Sequence, residues 1–380
     1  MVDLDSEQRL IMDSVKDLAE NEFAERAFSY GDGEVPKQNI DLLADRGFLG
    51  INFDEEYGGG GMTEYEAMLM SEIVGRVCPD TGVYLAEQQL VAPRGVAMFG
   101  SEAAKEKYLP EVTSGSAGFA IAMSEPGAGS NVKEMNTTVE EEAGELILNG
   151  EKIWVSGATH YDYAVVWVKF PGEGFGSVII DFDWDGIEIQ EHYTNMAGAK
   201  QTHFYMEDVT VPEENVLTRG GEGFKNQLKA LNWERIGTAT ITNSTALCAA
   251  DKALEYAQDR EQFGQPIGDF QGIEWKLADM VKQIEAARAL AHGAAEDAIS
   301  EGRVADPLQT SIVKLYSGEM AERVVSEALQ IHGANGYQQG HPLEYLHRFV
   351  RGFRIAGGTD EIMKNTIAKM LKDDGIPSIT

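Results

Sequence analysis

Glu234 is the side chain in this sequence best set to move a proton. It sits in Leu231-Asn232-Trp233-Glu234-Arg235-Ile236-Gly237, a stretch with helical spacing. Ala230 at i−4, Gly237 at i+3 and Ile241 at i+7 form a small, apolar stripe, so the carboxylate can face a cavity instead of water. Desolvation there would lift its pKa from about 4.3 towards neutrality, which suits a general base. The plain alternative is an exposed helix glutamate beside Arg235.

Other clusters read as ligand contacts. The stretch 119–131, FAIAMSEPGAGSN, is an apolar strand ending in a turn at Pro126. Gly127 and Gly129 allow close backbone approach, Ser124 and Ser130 can donate, and bare N–H groups suit phosphate oxygens. An ordinary Pro-Gly turn with serine caps is the alternative. Trp154-Val155-Ser156 offers an aromatic face and a hydroxyl to a planar ring, unless Trp154 is a core aromatic. Arg260, Phe263 and Gln271 lie in DREQFGQPIGDFQ, a tight connection where an arginine can clamp a pyrophosphate. Gln330, Ile331, His332, Gly333 and Ala334 end a helix at a glycine C-cap whose backbone could also meet a phosphate. His332 by itself reads as a packing or hydrogen-bonding group. The seven histidines show no metal spacing, so no metal is expected.

Three textures position these residues. Residues 1–117 carry helical spacing, with Asp5 and Gln8 as a capping box, a break at Gly31-Asp32-Gly33, and a last short helix stopped by Pro110. Residues 118–222 alternate instead, with strands at 145–156, 163–170, 177–182 and 201–215 and a hairpin turn at Asn149-Gly150. Residues 223–380 return to long helices at 224–260, 270–301, 307–331 and 360–371. The fold class expected is α+β multidomain: an N-terminal α-helical domain, a middle β-barrel or sandwich, and a C-terminal four-helix bundle.

The 63 Asp and Glu against 31 Lys and Arg give a net charge of −32 spread along the whole chain. That argues against nucleic-acid binding. It fits a salt-loaded cytoplasm, as in haloarchaea, where about 1 M salt shortens the Debye length to about 3 Å. No apolar run approaches a membrane span and no signal-peptide pattern opens the chain, so a cytoplasmic protein is expected. Cys78 and Cys248 read as reduced, buried thiols.

SEPGAGSN closely resembles TEPGAGSD, the flavin signature of the acyl-CoA dehydrogenases. GSEAAKEKYLPEVTSG, MEDVTVPEENVL, DREQFGQPIGDFQ, LQIHGANGY and GGTDEI extend the resemblance, in family order, over nearly the whole chain. The resemblance implies FAD, a homotetramer, and electron transfer to an electron-transfer flavoprotein. It implies that Ile121, Met123, Ser124, Gly129, Ser130, Trp154, Val155, Ser156, Thr359 and Glu361 touch FAD. Arg260, Phe263, Gln271 and residues 330–334 would meet it across a subunit contact. Ser130, Asn232, Arg235, Gly357 and Gly358 would lie along the CoA thioester.

Two departures from the family pattern stand out. Many members carry the base just before the C-terminal Gly-Thr, where this chain has Gly357. Members resembling isovaleryl-CoA and long-chain dehydrogenases carry it on the earlier helix before an Arg, the position of Glu234. Arg348-Phe349 replaces the family's Arg-Asp, which implies a lost local salt bridge. The implied reaction is α,β-dehydrogenation of an acyl-CoA. A non-catalytic flavin- and CoA-binding subunit, and an oxidase or enoyl-CoA reductase on the same scaffold, remain the alternatives.

Overall fold

The computed structural model describes residues 4–29 and 36–377, so the break expected at Gly31-Asp32-Gly33 lies outside it. The first helices are α1 (Ser6–Leu18), α2 (Lys37–Asp45), α3 (Glu64–Val77), α4 (Pro79–Leu90), α5 (Ala92–Phe99) and α6 (Glu102–Thr113). The capping box of α1 is present, with Asp5 accepting from Glu7 and Gln8 and Gln8 accepting from Asp5. Pro110 does not stop α6. It forgoes one backbone bond, and its own carbonyl still accepts from Ser114 N–H at 3.1 Å.

The strands are β1 (Phe119–Ala122), β2 (Thr138–Glu142), β3 (Glu145–Ser156), β4 (Tyr163–Phe170), β5 (Gly174–Asp181), β6 (Ile187–Thr194), β7 (Lys200–Val211) and β8 (Val216–Thr218). Their order is β6-β7-β3-β2-β4-β5-β8, with β1 parallel to β4. The helices α7 (Gly223–Asp259), α8 (Gln271–Ser300), α9 (Pro307–His332), α10 (Pro342–Gly352) and α11 (Asp360–Asp374) follow, and a small hairpin of β9 (Glu261–Gln262) and β10 (Gln265–Pro266) separates α7 from α8. The four long C-terminal segments are therefore joined by a fifth helix, α10, opened by Pro342 under a His341 cap.

Contacts divide the chain into two compact units, and the division falls inside α7 between Glu234 and Arg235. One unit holds the sheet, α2, α5, α6 and the first turns of α7. Both faces of its sheet are buried, which is why β4 reads as a continuous apolar run. Tyr163 and Val165 pack with Tyr108, Val112 and Phe119 against the helices. Ala164, Val166 and Val168 face the opposite core with Phe204 and Met206. The sheet curls enough that β5 and β7, separated in its order by three strands, share that core.

The other unit is mainly helical and comprises α1, most of α3 and α4, and the chain from Arg235 onwards. Ala239, Ala291, Ala294 and Val313 join α7, α8 and α9 in one core cluster. A buried Glu72 accepts from Arg288 and lies 3.0 Å from His292 Nε2. Cys78 and Cys248 are both buried here, and burial pushes the Cys248 thiol up to about 12. Arg348 is not left alone by Phe349. It pairs with Glu344 at 2.6 Å, while Phe349 stacks between Tyr345 and Phe353.

Asn149-Gly150 is not a hairpin turn. The turn is Ala143-Gly144, with φ of 53° and 90°, and Asn149 pairs with Thr138 inside β3. Asn149 Oδ1 accepts from Asp208 N–H at 2.8 Å, bracing an irregularity of the β3–β7 ladder. Gly150 is needed because φ is +150° and a Cβ would stand 2.5 Å from Thr137 Oγ1. Gly150→Ala should therefore destabilise by about 2–4 kcal/mol, combining backbone strain with a core clash. A urea midpoint within error of the parent would contradict this account.

Candidate active site

Within the sheet-containing unit a narrow cavity runs between α5, the sheet and the start of α7. Gln227, Ala230, Leu231 and Glu234 line it from α7, at the i, i+3, i+4, i+7 spacing of one helix face. Val91, Phe99, Ile121, Val165, Trp167 and Leu217 supply most of the apolar remainder. Glu234 is half-buried, with Oε2 sealed from solvent. Of the stripe read from the sequence, Ala230 lines the cavity with Glu234, whereas Gly237 and Ile241 do not.

The glycine loop after β1 belongs to the same unit. Glu125 and Ala128 exchange backbone hydrogen bonds of 3.0 Å across Pro126-Gly127, forming a tight turn. Ala128 packs with Met135, Trp167 and Leu231, and Met123 joins that cluster. Gly129 and Ser130 are exposed, with no atom within 4 Å of where a Cβ on Gly129 would stand.

The loop is anchored by a pair that sequence reasoning passed over. Lys152 is fully buried and donates to Glu125 Oε1 at 2.8 Å and to Met123 O at 3.2 Å. Glu125 also accepts from the Asn136 and Thr137 N–H groups, at 2.5 and 3.0 Å. Burial raises the Glu125 pKa, but the Lys152 charge and these donors outweigh it and hold the carboxyl below its usual range. Burial moves Lys152 the opposite way from its ordinary value, downward, with the Glu125 charge opposing. The only sequence signal was an acid inside the loop and a lysine in the neighbouring strand.

Trp154 is the strained residue of this site. Its φ is +61°, at a point where the β3–β7 register shifts, and it is 52% exposed with Tyr193 at 4.9 Å between centroids. Such a backbone costs on the order of 1–3 kcal/mol and recurs at ligand sites. Val155 points into the core and Ser156 is exposed. An exposed aromatic face, exposed hydroxyls at Ser130 and Ser156, the latter accepting from Gln201 Nε2 at 3.5 Å, and unfilled space at Gly129 fit a planar ring carrying a phosphate tail.

Glu87 at the end of α4 accepts from Tyr161 OH at 3.1 Å. The Tyr161 ring fills the space beside Gly157, where a Cβ would lie 2.3 Å from it. Burial pushes Glu87 up to about 7, opposed by the Tyr161 hydrogen bond.

The remaining candidates lie in the helical unit. Phe263 (φ +55°) and Gly264 (φ +85°) form the two-residue turn between β9 and β10, and Phe263 is 95% exposed. Arg260 and Gln271 flank that hairpin and are exposed. Gln330, Gly333 and Ala334 are exposed, whereas Ile331 and His332 are buried. His332 stacks on Tyr256 at 4.2 Å and its Nδ1 lies 3.0 Å from Ala328 O, so its side chain packs, and only its backbone is open to a ligand role. Thr359 caps α11 through Ile362 N–H, and Glu361 is exposed in the first turn. Gly357 and Gly358 have φ of 65° and 101°, and Lys314 donates to Gly358 O.

Asn232 and Arg235 are buried, and Arg235 Nη1 points to Ser311 Oγ at 3.5 Å. A helix turns each successive side chain by about 100°, so the neighbours of Glu234 cannot share its face. Among the described residues no cluster of His, Cys, Asp and Glu is placed to hold a metal. Among them, too, no helix is long and apolar enough to cross a membrane.

Comparison with known proteins covers the whole chain. Residues 5–116, 120–209 and 221–372 match the N-terminal, middle and C-terminal domains of acyl-CoA dehydrogenase. A probable acyl-CoA dehydrogenase of Bacillus subtilis is 34% identical over 97% of this chain and 99% of its own length. A caffeyl-CoA reductase–Etf complex subunit of Acetobacterium woodii is 33% identical over 96% and 98%. The butyryl-CoA dehydrogenase structure from Megasphaera elsdenii superposes with a TM-score of 0.90 at 29% identity, covering 98% of this chain and all of that one, 100%.

Two measurements probe this arrangement. Lys152→Met leaves Glu125 charged and buried, so it should cost about 3–5 kcal/mol of stability and shed bound FAD on gel filtration. Parental stability and flavin content would show that the pair does not hold the loop. Folded Glu87 keeps its proton to about 7, against about 4.5 for the free group, so the folded state binds more protons between those values. Stability should fall as pH rises through that window, and Glu87→Gln should flatten the slope of urea midpoint against pH. An unchanged slope in the variant would remove Glu87 as its source.

Proposed function

The chain belongs to the acyl-CoA dehydrogenase family, FAD-dependent oxidoreductases, and on that footing we propose that Glu234 is the base for α,β-dehydrogenation of an acyl-CoA thioester. The observation that carries this reading is the position of Glu234: its carboxylate lines a mostly apolar cavity. FAD, when bound, supplies the two-electron acceptor.

Glu234 takes the α-proton from its place on the cavity wall. The apolar cavity walls hold the acyl chain and exclude water from that transfer. Trp154 and Ser156 hold the planar ring of the cofactor, and the loop around Gly129 and Ser130 carries its phosphates. The backbone N–H of Gly357 is the donor assigned to the thioester oxygen, a role that asks nothing of a side chain at 357. Arg260, Phe263, Gln271 and the C-cap at Gly333 serve FAD bound by a second subunit of a homotetramer. An electron-transfer flavoprotein receives the electrons. The excess of acidic groups belongs to a protein that works in concentrated salt.

The relative from Acetobacterium woodii, named for a caffeyl-CoA reductase–Etf complex, favours a second reading, reduction of an enoyl-CoA. Glu234 would then deliver the α-proton. Both directions use the same carboxylate, so one variant tests both. Glu234→Gln should retain FAD yet slow anaerobic bleaching of its yellow band by acyl-CoA by on the order of 10³-fold. Bleaching at the parental rate would eliminate Glu234 as the base.

A further inference from the structure

One part of the cavity is not built for hydrocarbon. Two turns of α7 before Glu234, Gln227 reaches its wall at 3% exposure, beside Ser177 of β5 and Thr218 of β8. Gln227 Nε2 donates to Gly176 O, which fixes the amide orientation and turns Oε1 the other way. That Oε1 is buried and has no hydrogen-bond partner. Ser177 Oγ and Thr218 Oγ1 are 3.0 Å apart, so one hydroxyl donates to the other and the second proton is free to donate elsewhere. The polar end thus offers one acceptor and one donor, both desolvated.

A buried carbonyl oxygen without a donor costs about 1–3 kcal/mol, a loss that a bound hydroxyl would recover. The described residues lining the cavity include no Lys, Arg or His. An acyl group ending in a carboxylate would be desolvated there with no counter-charge and would face the Gln227 carbonyl. Seven residues of helix separate Gln227 from Glu234, a rise of about 10 Å, which sets the distance between the reacting α-carbon and the far group.

Resting on the reading of this cavity as the acyl site, we propose that the preferred substrate carries an uncharged hydroxyl at the far end of its acyl group. The hydroxyl donates to Gln227 Oε1 and accepts from the Ser177–Thr218 pair. Gln227 is a specificity-determining residue.

The flavin-loaded protein would be assayed with 6-hydroxyhexanoyl-CoA against hexanoyl-CoA, and with 3-(4-hydroxyphenyl)propanoyl-CoA against 3-phenylpropanoyl-CoA. The two pairs separate an aliphatic from a phenolic hydroxyl. Adipoyl-CoA tests the anion. The hydroxylated member of at least one pair should lead by about tenfold or more in kcat/KM, with adipoyl-CoA poorest. Gln227→Leu should collapse that lead. Thr218→Val should narrow it while leaving the Gly176 carbonyl bonded, which covers the case in which Gln227→Leu fails to fold. Calorimetric affinities for the same thioesters must follow the same order. They read Gln227 even if no thioester bleaches the flavin, an outcome that would sink the catalytic reading alone. Equal or better handling of the plain thioesters in both pairs overturns the proposal, as does a lead that survives both variants.

Discussion

A small apolar cluster fixes the geometry on which everything else depends. Ala128 from the glycine loop, Trp167 from β4 and Leu231 from α7 are buried against one another, with Met135 beside them. Each comes from a different element, and each is a few residues from a group with a functional assignment. Ala128 holds the turn that leads to Ser130. Trp167 walls the cavity. Leu231 sits one turn before Glu234, so its burial sets the rotation of α7 that aims Glu234 and Gln227 into the cavity. Loss of this packing would rotate or loosen the helix and scatter the groups together.

The polar groups around that cluster are held by tertiary partners rather than by water. Lys152 and Glu125 are both buried and satisfy each other and the surrounding backbone. Arg94 and Glu64 form a second buried ion pair in the same unit. Buried pairs of this kind add little net stability but punish removal of one partner, which makes them position markers. The strain at Trp154 and Phe263 is of the same character: both aromatics hold positive φ while remaining exposed, a conformation worth its cost only where the ring meets something.

The cavity itself combines two environments. Its walls near Glu234 are mostly apolar. Its polar end near Gln227 offers hydrogen bonds without charge. The spacing of the two along one helix makes α7 a ruler between a proton-transfer end and a recognition end.

Much of this was legible in the amino-acid order. The shift from 3.6-residue to two-residue periodicity and back marked the helical and strand regions, because side-chain direction alone sets those periods. The string SEPGAGSN, the Trp154-Val155-Ser156 triplet and the small stripe around Glu234 are local features, and local features are what a sequence states. Asn149-Gly150 misled because its turn chemistry is identical to that of a hairpin, while the structure uses the glycine to pass close to Thr137. Pro110 misled because a proline forfeits one bond, which α6 can lose. Arg235 was expected along the thioester, and its Nη1 lies 3.5 Å from Ser311 Oγ within the helical unit, a partner no local pattern announced. Lys152 gave only the signal of a lysine in a strand beside an acidic loop and Gln227 gave none, since a lysine or glutamine is ordinarily a surface residue. Only packing across elements distant in sequence decided that one would anchor a loop and the other would leave a bare carbonyl oxygen inside a cavity.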